Sequence, residues 1–251
     1  MLGDVSVQHA LGSSGAKASR GNGYTSPVHI QEWHLSELLS LAKRTINEDQ
    51  RSLFSRPEER DPVIYCAGNI DLLTKPCISV IGARSVSDDG RARALRIAKE
   101  LAKAGVVVTS GLAKGVDTSA HRGAIEAGGG TIAVIGTPLD KVYPAENSGL
   151  QQTIYSKHLL VSQFRRGERT FQSDFPKRNR LMAALSDGSV IVEASDTSGT
   201  LHQAAECIRL GRWLFIMQSV VDNDKLSWPA RFLNNPRTVV LSKVDDILSR
   251  V

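Results

Sequence analysis

Short apolar runs, separated by amphipathic segments of helical period, constrain this chain more than any other feature. The runs fall at 78–81, 106–109, 131–135, 159–162, 190–193, 214–217 and 239–241, and most are rich in Val and Ile. A strand with one wet face alternates polar and apolar residues. Runs this uniform need cover on both faces, as a parallel sheet between two layers of helices provides. Between them, 89–104, 116–127, 150–155, 178–185 and 201–210 read as helices. Gly105 and Gly211 stand where a left-handed glycine ends a helix. The pattern predicts an α/β fold with a doubly wound, mostly parallel sheet.

The N-terminal part reads differently. Residues 1–28 are Gly- and Ser-rich with few large apolar side chains, which predicts a disordered arm. Trp33, Leu38, Leu41 and Ala42 then recur at helical spacing, so 32–46 is expected to form a helix within a small appendage at 29–60. The α/β domain is expected to span 61–251.

Composition narrows the functional classes. The 251 residues are 41% hydrophobic and 23% charged, as in ordinary soluble globular proteins. No run is long enough for a membrane-spanning helix, so no membrane partner is expected, and no secretory signal is visible at the start. Cys66, Cys77 and Cys207 are scattered, without metal-ligand spacing, which fits a reducing cytoplasm. The net charge of +5 is compatible with a nucleic-acid partner without demanding one.

In a doubly wound sheet, ligands bind beyond the carboxyl ends of the strands. Gly82-Ala83-Arg84-Ser85 follows the first run, and Ser110-Gly111 with Lys114-Gly115 the second. Gly136 follows the third, and Glu193 with Thr197-Ser198-Gly199-Thr200 the fifth. Glycines let the backbone approach an anion, and hydroxyls and helix N-terminal amides donate to it. Gly82, Lys114, Gly136, Ser198, Gly199 and Thr200 are therefore candidate phosphate-binding residues, although tight β-to-α turns favour Gly and Ser for geometry alone. Arg84 suits bidentate phosphate recognition, or an ion pair with Asp88 or Asp89. Neither GxGxxG nor GxxxxGK[ST] is present, which disfavours a conventional dinucleotide site or P-loop.

Phe175-Pro176-Lys177-Arg178-Asn179-Arg180 sets three cations and an amide behind an aromatic. Cations neutralise phosphates and Phe175 offers a stacking face, though a solvated basic loop would read the same way. Arg165, Arg166 and Arg169 extend the positive track. The search for catalytic groups returns little. His121 and His202 are candidate acid–base groups, or simply packing and capping residues. Asp117 and Glu193 are better suited to orienting loops. With no nucleophile elbow and no HExxH, no catalytic residue, metal or cofactor is assigned, and a non-enzymatic role is expected.

The ordered succession of motifs resembles the DprA/Smf family of DNA-processing proteins over about 61–217. It comprises Tyr65-x-x-Gly68, Val80-Ile81-Gly82-Ala83-Arg84, Ser110-Gly111-Leu112-Ala113-Lys114-Gly115-Val116-Asp117, Tyr143-Pro144-x-x-Asn147, Phe175-Pro176-x-Arg178-Asn179-Arg180 and Ser198-Gly199-Thr200-Leu201. The resemblance implies an extended Rossmann-like domain of the SLOG superfamily that binds single-stranded DNA and forms a homodimer. It also implies help in loading a RecA-type recombinase during natural transformation. Carried over by position, the DNA-binding pocket would comprise Arg84, Ser110, Gly111, Phe175, Lys177, Arg178, Asn179 and Arg180. The chain reads as a divergent single-domain relative, short of a SAM-like domain and of a winged helix. A SLOG-type nucleotide sensor or nucleotide-processing enzyme stays open as the other reading, as does a pure protein-interaction module. The apolar segments 213–217 and 228–233 are equally candidate dimer contacts and candidate core.

Overall fold

Every one of the expected apolar runs is a strand in the computed structural model, which describes residues 23–51, 54, 61–171 and 174–251. Among the described residues the strands are β1 (Gln31–His34), β2 (Val63–Gly68), β3 (Cys77–Ile81), β4 (Val107–Ser110), β5 (Thr131–Ile135), β6 (Leu159–Ser162), β7 (Gly188–Ile191), β8 (Trp213–Met217) and β9 (Thr238–Leu241). They form one sheet of order β1-β2-β6-β5-β4-β3-β7-β8-β9. The β1–β2 and β2–β6 pairs are antiparallel and all others are parallel. The helices are α1 (Leu35–Leu41), α2 (Glu48–Arg51), α3 (Asp88–Lys103), α4 (Val116–Glu126), α5 (Ser148–Lys157), α6 (Asp174–Ala184), α7 (Thr200–Arg209), α8 (Gln218–Val221), α9 (Ala230–Leu233) and α10 (Asp245–Leu248). None of them is long and apolar enough to cross a membrane.

The uniform Val/Ile runs are buried on both faces, as their composition demands. In β5 and β6, Ile132, Val134, Leu159 and Val161 join the larger apolar cluster. Their alternates Ala133, Ile135 and Leu160 join a smaller one with Leu139 and Ile154. Burying each Val, Leu or Ile among them stabilises the fold by roughly 1.5–3 kcal/mol. Gly105 (φ 79°) and Gly211 (φ 69°) end α3 and α7 in the left-handed region, as expected.

The N-terminal segment departs from expectation. Residues 31–34 are not helical but form an edge strand on β2, with Trp33 opposite Ile64. The open hydrogen bonds of β2 outweigh the helical period there. The helix begins only at Leu35, where the His34 amide donates to Glu37 Oε2 at 2.8 Å and Ser36 Oγ donates to Asp61 Oδ2 at 2.6 Å. Leu35, Leu38 and Leu39 lie in the main core. Residues 1–22 of the expected arm lie outside the described residues. Beyond them, Tyr24 Oη donates to the Leu139 carbonyl at 2.9 Å, and Tyr155 Oη donates to the Thr25 carbonyl at 2.6 Å.

A buried cation ties this segment to the sheet. The Arg44 side chain is only 3% exposed, and its Nε and Nη2 donate to Asp187 Oδ1 and Oδ2 at 2.9 and 2.5 Å. Its remaining donors reach the Ala42, Leu73 and Lys75 carbonyls. Asp187 Oδ2 also accepts the Cys77 amide at the start of β3.

The strand order sets the functional geography. From β3 the chain moves outward one way through β4, β5 and β6, then returns to β3's other side and moves away through β7, β8 and β9. The loops after β3 and β7 therefore diverge, leaving a crevice at the carboxyl edge where ligands of such sheets bind.

Candidate nucleic-acid interface

That crevice has a volume of about 870 Å³ and runs between the loops after β3 and β7, under the first turns of α6 and α7. Its walls are pinned to each other through the backbone. The Ala83 amide donates to the Glu193 carbonyl at 2.7 Å, and the Val116 amide to the Ala83 carbonyl at 3.3 Å. Glu193 accepts the Ser87 amide at 2.9 Å and the Ser87 hydroxyl at 2.6 Å, and Arg93 lies 3.4 Å from its Oε2. Ser87 also caps α3 by accepting the Gly90 amide at 3.0 Å. Glu193 is thus committed to orienting loops.

Arg84 rides on this braced loop. Its guanidinium lies 5.2 Å over the Phe175 ring, within cation–π range. Among the described residues no carboxylate pairs with it, and Asp88 pairs with Arg91 instead. Phe175 in turn contacts Tyr143, with ring centroids 5.7 Å apart, and Tyr143 is 52% exposed. The three groups make a continuous stacking surface at the crevice mouth. Gly136 makes it possible, since a Cβ there would fall within 2.9 Å of the Phe175 ring. Gly136 is therefore a space-maker for an aromatic, not a phosphate cradle. Tyr143 was not among the candidate site residues, and it joins this surface through its contact with Phe175. Its only sequence signal was the Tyr-Pro-x-x-Asn motif.

The basic run is helical throughout, because the helix expected over 178–185 begins four residues earlier. α6 starts at Asp174, so Phe175–Arg180 form its first two turns, and successive side chains turn to different surroundings. Phe175, Arg178 and Asn179 face the crevice, whereas Lys177 and Arg180 line a separate groove on the opposite side of α6. Lys177 pairs with Asp174 at 2.9 Å, and Arg180 pairs with Glu206 at 3.2 Å.

Three expected contact residues are in the structure's interior. Arg178 is buried and donates from Nη1 to the Val134 carbonyl at 3.1 Å. A Cβ on Gly111 would collide with its guanidinium, so Gly111 is glycine to admit that group. Ser110 is fully buried, with its hydroxyl spent on the Val80 carbonyl at 2.7 Å. Sequence shows the charge of Arg178 and the hydroxyl of Ser110 but not their burial. Asp117 accepts the Gly111 and Ala113 amides at 3.2 and 3.3 Å. Burial raises its carboxyl above the usual range, while the nearby Arg178 charge and those amides act the other way. Arg178 and Asp117 thus compensate each other beneath the crevice.

The candidate phosphate-binding residues divide. Lys114 pairs with Glu146 at 2.5 Å, and a Cβ on Gly82 would strike Val116 and the Glu193 carbonyl, so Gly82 is tight packing beneath the wall. Ser198, Gly199 and Thr200 do line the crevice, at the start of α7. There the Ser198 hydroxyl accepts the Thr200 amide at 3.2 Å. Exposed His202 also lines the crevice, but His121 does not. His121 is wholly buried beside Thr131 at 2.7 Å, and burial lowers its pKa to about 3. Because the Thr131 hydroxyl proton goes to the Val108 carbonyl, Thr131 accepts from His121, which puts the ring proton on Nδ1. Behind the β7 loop, Trp228 is buried and donates from Nε1 to the Ala194 carbonyl at 3.0 Å. That residue of the 228–233 segment is core.

The sequence matches the family described as DNA recombination-mediator protein A over residues 46–251. It is 40% identical over 161 residues to DNA processing protein DprA of Streptococcus pneumoniae, covering 64% of this chain and 57% of that protein. The chain spans about half the length of the curated relatives it matches. The crystal structure of the Streptococcus pneumoniae protein aligns with a TM-score of 0.70 at 35% identity, covering 80% of this chain and 69% of that one. DNA processing protein A from Helicobacter pylori, whose structure concerns its single-stranded DNA binding mode, aligns with a TM-score of 0.69 at 25% identity. That alignment covers 88% of this chain and 95% of the Helicobacter protein.

Proposed function

The chain belongs to the DNA recombination-mediator protein A family, and from that premise we propose that it binds single-stranded DNA along the switch-point crevice. The observation that carries the reading is the Arg84–Phe175–Tyr143 surface at the mouth, with a guanidinium that no carboxylate among the described residues neutralises. Bases stack on aromatic faces without regard to identity, and a cation beside the stack meets the phosphate between them. The Gly199 amide and the Thr200 hydroxyl at the α7 terminus supply donors further in, with the Ser198 hydroxyl holding the turn. Buried Arg178 and Asp117 shape the floor on which this surface rests, and do not contact the strand.

The same proposal extends to a homodimer in the cytoplasm that presents the bound strand to a RecA-type recombinase, as a binding protein and not an enzyme. The commitments of Asp117 to loop amides and of Glu193 to Ser87 and Arg93 support that last point. Fluorescence anisotropy with a labelled oligo-dT of about 35 nucleotides tests it. Arg84→Ala and Phe175→Ala should each weaken binding roughly 5- to 150-fold, from about 1–3 kcal/mol per stacked base. Unchanged affinity in both variants would remove the assignment. Saturable binding of a mononucleotide with no oligonucleotide binding would instead favour the sensor reading.

A further inference from the structure

α6 separates two concavities. Phe175, Arg178, Asn179 and Met182 face the switch-point crevice. At 100° per residue, Asp174, Lys177 and Arg180 emerge on the opposite side of the helix. There they line a second groove of about 820 Å³, closed by β2 and by the segment 163–171 after β6. This groove carries Arg165, Arg166, Arg169, Lys177 and Arg180 against Glu168 and Asp174, a net of three positive charges. The switch-point crevice carries Arg84, Arg93 and Arg178 against Asp117 and Glu193, a net of one. The more cationic of the two surfaces is therefore the groove, which holds Lys177 and Arg180 of the expected DNA-binding set but neither Arg84 nor Phe175.

Two further features suit a nucleic acid. Phe171 stands 66% exposed on the rim, the most exposed aromatic among the described residues, and Tyr65 lines the groove as well. A polar rim holding a bare phenyl ring beside unburied arginines matches the combination of stacking face and phosphate neutralisation that binds single strands. Arg165, Arg166 and Arg169 are all exposed, so their charge reaches solvent. The helix between the grooves is about 10 Å across, a gap that a few nucleotides can span.

We propose that this groove is a second single-strand site, and that one strand crosses α6 from the Phe175 stack into the groove at Arg165, Arg166, Arg169 and Phe171. The inference rests on the strand-binding reading above. It predicts an affinity that depends on strand length. A strand too short to cross α6 uses only the crevice, and a longer one adds about three phosphate contacts. Each phosphate contact to a single strand steepens the log–log salt dependence by about 0.7, so three add about 2.

The test compares labelled oligo-dT of about 6 and about 20 nucleotides, by anisotropy over a salt series, with wild type and the R165Q/R166Q/R169Q variant. The wild type should bind the longer strand more tightly and with the steeper slope. In the variant the long-strand slope should fall by about 2 and its affinity should approach that of the short strand, whose binding stays within twofold. Phe171→Ala should weaken the long strand alone, by fivefold or more. An unchanged melting midpoint reports that the fold is intact. If the triple variant does not fold, Arg169→Gln alone should lower the slope by about 0.7. Long-strand affinity and slope that stay unchanged while the short strand still binds would overturn the second site and leave the crevice standing, with the cationic groove then belonging to an acidic protein. A wild type that binds neither strand would overturn the strand-binding reading itself.

Discussion

Gly115 and Gly105 share nearly the same φ, 78° and 79°, yet their surroundings are opposite. Around Gly105 a Cβ would meet nothing within 4 Å. At Gly115 it would lie within 2.6 Å of the backbone carbonyl oxygens of Ala83 and Arg84, in the loop that carries the stacked guanidinium. The Gly115 ψ of −121° also takes it outside the left-handed helical region, into territory that only glycine occupies at ease. Gly105→Ala should therefore cost about 1–2 kcal/mol, the ordinary cost of a left-handed alanine. Gly115→Ala carries about 1–3 kcal/mol of backbone strain, and pushing two carbonyls aside adds about 1–3 kcal/mol more. We expect about 4 kcal/mol in all, at least 2 kcal/mol beyond Gly105→Ala. Urea denaturation of both variants gives the two values, and a thermal scan should show the Gly115 variant melting roughly 8–16 °C lower. Because the displaced carbonyls belong to Ala83 and Arg84, strand affinity should fall in Gly115→Ala and not in Gly105→Ala. Equal costs at the two positions would refute the claim that the β3 and β4 loops are locked together through this glycine.

Asp187→Ala should strand the buried Arg44 guanidinium and the Cys77 amide together, costing about 3–5 kcal/mol in a urea titration; a loss under 1 kcal/mol would contradict the clasp. His121 is held neutral, with its pKa lowered to about 3 against an unfolded value of 6.5. Unfolding therefore takes up a proton between those values, so this contribution is complete above pH 6.5 and shrinks as pH falls towards 3. The loss from His121 between pH 6.5 and 5 should be about 1–2 kcal/mol, and His121→Met should remove that part of the slope. Tyr143→Ala should weaken oligo-dT about fivefold or more while leaving the urea midpoint nearly unchanged, as its ring is half exposed.

What the sequence made legible follows from which forces act locally. β5 and β6 form over the residues expected, because a run buried on both faces has only one way to satisfy its side chains. β1 was misread because Trp33, Leu38 and Leu41 keep a helical period while the edge of β2 claims the backbone at 31–34. β2 itself, Val-Ile-Tyr-Cys-Ala-Gly, held enough β-branched and aromatic character to be read as a strand, and was passed over. The site was half legible. Arg84 and Phe175 lie where strand-end reasoning puts a ligand. Arg178, Ser110 and Gly111 belong to the same motifs but serve the interior, and only the packing of α6 against β4 and β5 separates the two roles. The opposed faces of α6 were hidden as well, because the expected helix began only at 178 and left Asp174, Phe175 and Lys177 without a helical phase.

The central claim is that the crevice mouth holds a single strand through stacking and phosphate contacts. The most direct measurement is the affinity of the intact chain for oligo-dT of about 35 nucleotides against duplex of equal length, from low to moderate salt, in wild type and Arg84→Ala/Phe175→Ala. The account predicts tighter binding of the single strand, a steep fall with salt, and loss of most of that binding in the double variant. Equal binding of duplex and single strand, undiminished in the double variant, would contradict it.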